Sequence, residues 1–203
     1  MEIKEIHLDY LKEIMNIGVG KAASLLNTLL NSHIEMHVPE INILTEKEIL
    51  QQFSSIAPEK ISSVFLPFEG NISGLALLIF PPESAQHLIG LLLNDMQDDD
   101  DIDELRAGTL AEVGNIVLNS VMGTFSNMFS SAVHYSVPKY IEARPEKIFE
   151  NYEEKHKEYS FLLARTRFTI KSLNIEGDIV ILMEVNPFKQ LLKEIDGHYK
   201  SIK

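Results

Sequence analysis

The sequence predicts an α/β (α+β) fold built as a pseudo-twofold duplicated repeat. In it, a six-stranded, mainly antiparallel sheet supports two long helices that carry the candidate sites. Three observations predict this. A helical stretch with Glu13 and Asn16 returns 99 residues later as a stretch with Glu112 and Asn115. In both copies 22 residues then separate the asparagine from a proline, Pro39 and Pro138. Both copies continue into two apolar runs around a short turn, a hairpin signal. Self-similarity over such a period marks repeat architecture. A lone E-x-x-N is weak, because both residues are common on exposed helix faces. Proline fills about one position in twenty, so its return at one interval from a repeated pair is not ordinary chance.

The first helix is expected over residues 8–31. Leu11, Ile14, Met15, Leu25, Leu26 and Leu29 recur at helical spacing and are assigned to its inner side. Glu13 and Asn16, three apart, share the other side. Gly18 and Gly20 each cost about 1 kcal/mol against alanine inside a helix, which points to close packing or to a docking partner. Residues 33–44 read as a strand, with Pro39 at an edge or bend because it has no amide hydrogen. Thr45 caps a short helix over 45–53, with Glu48 completing a capping box. Strands follow over 62–69 and 72–81, around Gly70-Asn71. Pro82 then opens a helix to Asn94, with Leu88, Leu91 and Leu92 as core candidates.

The acidic run 96–103 reads as a linker. The second half repeats the order: a helix over 104–132, a strand over 134–143 with Pro138, and a charged helix over 145–158. A hairpin follows over 159–172 and 175–185, around Leu173-Asn174. Last comes a helix capped by Asn186, with Pro187 at its first position. The expected organisation is one domain, 1–203, with internal repeats of about 1–95 and 104–203. A shared sheet would cover strand edges that either half alone would expose.

Composition narrows the function. The 203-residue chain is 45% hydrophobic and 24% charged, enough for a sizeable core. A net charge of −12 argues against binding nucleic acid or an anionic membrane. It is compatible with a protein partner that presents a lysine. There is no cysteine, so disulfides and thiolate chemistry are excluded. The charged N-terminus is unlike a signal peptide and no apolar run reaches spanning length, so a cytoplasmic location is expected.

Other motifs dissolve on inspection. Gly20-Lys21 lacks the glycine and the Ser/Thr of a phosphate loop, whose places hold Met15 and Ala22. The aspartates at 98–101 lack the glycine and distant glutamate of a calcium loop. His33 and His37 have no third ligand in view. No G-x-S-x-G occurs. Ser24, Ser120 and Ser126 lie in predicted helices with no adjacent histidine.

The Glu/Asn pairs remain. Singly, each reads as two polar residues on an exposed helix face. Duplicated, with their prolines, they read as sites. Asparagine cannot act as a base, but its carboxamide can hold a water as donor and acceptor. That suffices where the electrophile is already activated, as in phosphoryl transfer, where positioning carries most of the catalysis. A glutamate one turn upstream could grip a partner's cation.

At these residues the sequence resembles the CheC/CheX/FliY phosphatases of chemotaxis. Their motif is Asp or Ser, three residues, Glu, two residues, Asn, 22 residues, Pro. Asp9, Glu13, Asn16 and Pro39 match it. Glu112, Asn115 and Pro138 match a second copy in which Gly108 replaces the Asp or Ser. Two motifs in a chain of this length are similar to the CheC form. The resemblance implies hydrolysis of the aspartyl-phosphate on the response regulator CheY. Asn16 and Asn115 would orient water, and Glu13 and Glu112 would contact the regulator's lysine. It implies no cofactor of the protein's own, Mg2+ belonging to the regulator, and CheD, a receptor deamidase, as a further partner. The alternative is a non-enzymatic module that regulates CheD or sequesters phosphorylated CheY. A monomer is expected, since the duplication already supplies a twofold.

Overall fold

The computed structural model describes residues 4–36, 40–56, 60–70, 73–93, 102–129, 133–144, 146–147, 160–184 and 192–193. The first half contains α1 (Glu5–Leu30), β1 (Glu35–Met36), β2 (Glu40–Thr45), α2 (Glu46–Ile56), β3 (Ile61–Gly70), β4 (Gly74–Phe80) and α3 (Pro82–Leu93). The second contains α4 (Ile102–Phe129), β5 (Val133–Tyr135), β6 (Lys139–Ala143), β7 (Ser160–Ile170) and β8 (Ile175–Glu184), with a 3-10 turn over Lys171–Leu173. Apart from 146–147 and 192–193, which are helical, the charged helix expected over 145–158 and the helix after Asn186 lie outside the described residues, as does most of the acidic run 96–103.

All strand pairings are antiparallel, in the order β1–β7–β8–β4–β3–β5, with β2 also on β7 and β6 also on β3. Six strand positions result, the outer two each made of two pieces. The sequence reading had one strand in each of those places. Residues 136–138 leave the ladder between β5 and β6, where Pro138 has no amide to donate. Ser136 still donates its N–H to the Pro67 carbonyl at 3.0 Å. The break between β1 and β2 spans 37–39, so Pro39 and His37 lie outside the described residues.

The pairing partners are crossed. β1 and β2 hydrogen-bond β7, while β5 and β6 hydrogen-bond β3. Each outer strand thus completes the hairpin of the other half, and neither half holds a three-stranded sheet by itself. The two hairpins meet through β4 and β8. β4, GLALLIF, is buried at every residue, because it has a strand on both sides and a packed layer on both faces.

Those layers differ. On one face α1, α3 and α4 cover a large core that includes Leu11, Ile14, Val64, Phe80, Val117, Phe168 and Ile181. On the other, Ile49 and Phe53 of α2 cover Ile61, Leu77, Val180 and Leu182. α2 begins as predicted: the Glu48 carboxylate accepts from both the N–H and the hydroxyl of Thr45, each at 2.7 Å. These bonds hold the Glu48 carboxyl below its usual range.

The hairpins share one packing device. Phe68 lies opposite Gly74, and Phe168 opposite Gly177. A Cβ on either glycine would stand 2.6 Å or 2.5 Å from the ring's Cζ. Each bare glycine leaves room for the tip of the ring on the neighbouring strand. Asn174 takes the left-handed conformation (φ 50°) at the tight end of β7–β8, which asparagine tolerates better than most residues.

Three apolar assignments fail. Leu25 and Leu29 are 47% and 43% exposed, because the last turns of α1 point Leu26 and half-buried Leu30 inward instead. Leu91 is 46% exposed, since α3 turns Leu88, Ile89 and Leu92 toward the core. Helical spacing admits neighbouring faces, and only the packing partner selects one.

Candidate functional site

α1 presents the first pair. Its buried residues Leu11, Ile14, Met15, Val19, Ala22 and Leu26 fix its rotation on the sheet. The opposite stripe, Asp9, Glu13, Asn16 and Gly20, is exposed. The spacing of four, three and four residues aligns these positions along one helix face. Among the described residues, neither Glu13 nor Asn16 has a hydrogen-bond or ion-pair partner. The helix begins at Glu5, earlier than the sequence suggested, with the Lys4 N–H donating to His7 Nδ1 at 3.2 Å.

The glycines in α1 divide. Gly18 is buried against α4: a Cβ there would approach Val121 Cα to 3.1 Å and Thr124 Cβ to 3.4 Å. Close packing therefore accounts for Gly18. Gly20 is exposed, and a Cβ there would meet nothing within 4 Å.

α4 presents the second pair. Leu110, Val113, Val117, Leu118, Val121, Met122 and Phe125 are buried. Glu112 is exposed, while Asn115 is half-buried. Gly114, between them, lies so close to β3 that a Cβ would fall 2.4 Å from Val64 Cγ1. The Asn119 Nδ2 donates a short hydrogen bond to Asn115 Oδ1. The sequence reading missed Asn119. Its signal was available, since the 99-residue offset pairs Asn119 with Gly20. Gly108, in the place of Asp9, lines an open groove of roughly 500 Å³ with Glu104, Leu105 and Thr109. The second site therefore lacks the carboxylate that the first carries at this position.

Both helices are tied to the strand that follows. Asn27 Oδ1 accepts from the Ile34 N–H at 3.0 Å. Tyr135 donates its hydroxyl to the Met122 carbonyl at 3.1 Å and also bonds Ser126. Asn27 and Ser126 stand at the same offset of 99. With one face buried and both C-terminal ends pinned, each pair sits on a rigid rod. Such a rod can bind a cation through its acid and orient a water through its amide. On these two stripes the groups that could act as a base are carboxylates: Asp9 and Glu13 on α1 and Glu112 on α4.

Fold and site together define an α/β protein that displays acid–amide pairs on the outer faces of two adjacent helices. The CheC-like family matches residues 6–43, and chemotaxis phosphatase CheX matches residues 62–162. The CheY-P phosphatase CheC of Bacillus subtilis (strain 168) is 33% identical over 140 residues, 68% of this chain and 66% of that protein. The flagellar motor switch phosphatase FliY of the same organism is 24% identical over 140 residues, 68% of this chain but 36% of that one. The crystal structure of Thermotoga maritima FliY superposes with a TM-score of 0.73 at 18% identity, covering 95% of this chain and 97% of that one. A chain of the CheX–CheY–BeF3–Mg2+ complex from Borrelia burgdorferi gives 0.54 at 20% identity, covering 86% of this chain and 97% of that one. The chain belongs to the CheC/CheX/FliY family of chemotaxis phosphatases. It spans just under two thirds of that CheC and about a third of that FliY. No helix among the described residues is long and apolar enough to cross a membrane.

Proposed function

We propose that this protein hydrolyses the aspartyl-phosphate of the response regulator CheY. The observation that carries the reading is the exposed Glu13/Asn16 pair on α1, rigidly held and without a partner among the described residues. The family relationship supports the same reaction class.

In this reading the helix enters the regulator's active site. Glu13 pairs with the regulator's lysine and sets the register. Asn16 accepts a hydrogen bond from a water and turns its lone pair toward phosphorus. The water oxygen forms the new P–O bond as the bond to the aspartyl oxygen breaks. The aspartate leaves as a carboxylate, and the water's proton passes to the phosphate or to solvent. Mg2+ bound by the regulator would supply charge neutralisation at the transferring group, and Glu13 and Asn16 supply position. Glu112 and Asn115 repeat these roles on α4, and the protein acts as a monomer with two docking faces.

The test is phosphate release from phosphorylated CheY. Asn16→Ala combined with Asn115→Ala should reduce release to the regulator's own spontaneous rate while the melting temperature stays unchanged. Full activity in the double variant would overturn the assignment. The second reading, a module that sequesters phosphorylated CheY or regulates the deamidase CheD, draws on the engagement of Asn115 by Asn119. Stable binding of phosphorylated CheY by the unmodified protein without accelerated release would favour it.

A further inference from the structure

The two sites differ one turn beyond the amide. At α4 the Asn119 Nδ2 donates to Asn115 Oδ1, and Asn115 is half-buried. At α1 the same place holds Gly20, with open space around it, and Asn16 is exposed. We propose that Asn119 is a positioning residue that competes with the attacking water for the Asn115 carboxamide, so that the second site turns over more slowly than the first. The inference rests on the reading that these amides orient water.

The chemistry is a contest for one acceptor. To aim a water's lone pair at phosphorus, the carboxamide oxygen must accept the water's O–H. Asn119 already donates to that oxygen and holds the amide along the helix. A carboxamide oxygen has two lone pairs, so the site is slowed rather than abolished. The bond is an exposed i,i+4 amide pair. Releasing it should change the rate about twofold, the factor given by ~0.4 kcal/mol at 25 °C. In the first copy Gly20 removes the competitor altogether, which gives that helix glycine a reason that packing does not.

The experiment separates the sites. In an Asn16→Ala background only the second site works, and adding Asn119→Ala should raise kcat for release from phosphorylated CheY about twofold. KM should stay unchanged, because Glu112 still makes the docking contact. In an Asn115→Ala background, Gly20→Asn should lower kcat about twofold. A Cβ at Gly20 meets nothing, so that variant should fold normally. A purely structural role for Asn119 would move neither kcat in this reciprocal pattern. Failure of either arm overturns the proposal. The Asn16→Ala/Asn115→Ala control keeps the two readings apart. Residual accelerated release there refutes the amide mechanism itself, whereas a silent control with an unresponsive Asn119→Ala refutes only the competition.

Discussion

Gly114 sits between Glu112 and Asn115, and replacing it with alanine would push the second site off its seat. A Cβ there would lie 2.4 Å from Val64 Cγ1, 2.5 Å from its Cβ and 2.8 Å from its Cγ2. Favourable carbon–carbon contacts run about 3.5–4.0 Å. Rotating Val64 about χ1 moves the Cγ atoms but leaves its Cβ in place. Val64 is fully buried and belongs to β3, which has strands on both sides, so α4 must move instead. Overpacking of this kind costs about 1–3 kcal/mol, here at the upper end, about 3. Alanine recovers about 1 kcal/mol of helix propensity. The net is a destabilisation of about 2 kcal/mol, or a fall of about 4–8 °C in Tm for a chain of this size. Urea unfolding followed by circular dichroism measures it. Gly123→Ala on the same helix is the control: a Cβ there meets nothing within 4 Å, so that variant should gain up to about 1 kcal/mol. Val64→Ala should recover part of the Gly114→Ala loss, because the γ-carbons go and the Cβ stays. Second-site phosphate release should fall with stability while the first site is spared. If Gly114→Ala is as stable as the unmodified protein, the claimed closeness of α4 to β3 is wrong.

Two further outcomes follow from the polar contacts. Arg165 holds the buried Asp178 with two hydrogen bonds of 3.1 and 2.9 Å, whereas Arg167 reaches it at 3.4 Å from a half-exposed position. Breaking the buried pair by Asp178→Ala should cost about 3 kcal/mol, and Arg167→Ala no more than about 1 kcal/mol; an equal loss in both would reject the ranking. Glu48 has its carboxyl lowered by the Thr45 N–H and hydroxyl. Its stabilisation is present above the ordinary carboxylate range, about 4.3, and is lost as pH falls through the lowered folded value. Glu48→Gln should therefore melt below the unmodified protein at pH 7, and the gap should close once the pH is taken below the lowered folded value. A gap that persists at acid pH would mean the charge of Glu48 is not what matters.

Much of this molecule was legible in one dimension. The outward stripe of Glu13 and Asn16 follows from the helical spacing of Leu11, Ile14, Met15 and Leu26, all of which are buried. Thr45 and Glu48 named their own helix start, because a cap is made by residues three apart. At the hairpins, Gly70 and Asn174 hold positive φ, as their residue types suggested, because the backbone conformation there is decided locally. Other features had no local signature. Leu25, Leu29 and Leu91 obey helical spacing yet are exposed, since spacing cannot say how far a covering surface extends.

What the sequence by itself determined is the four helices and two hairpins of the described residues, the repeated motif, and which residues of the first pair face solvent, because all of these depend on neighbours within a turn or a pleat. Only the tertiary structure decided that each outer strand joins the opposite hairpin, that Gly18 and Gly114 are seats for α4, and that Asn115 is engaged while Asn16 is not. Those facts depend on which surfaces meet after the chain has folded back on itself. A strand's alternation or a glycine's bareness is the same whichever partner it finds.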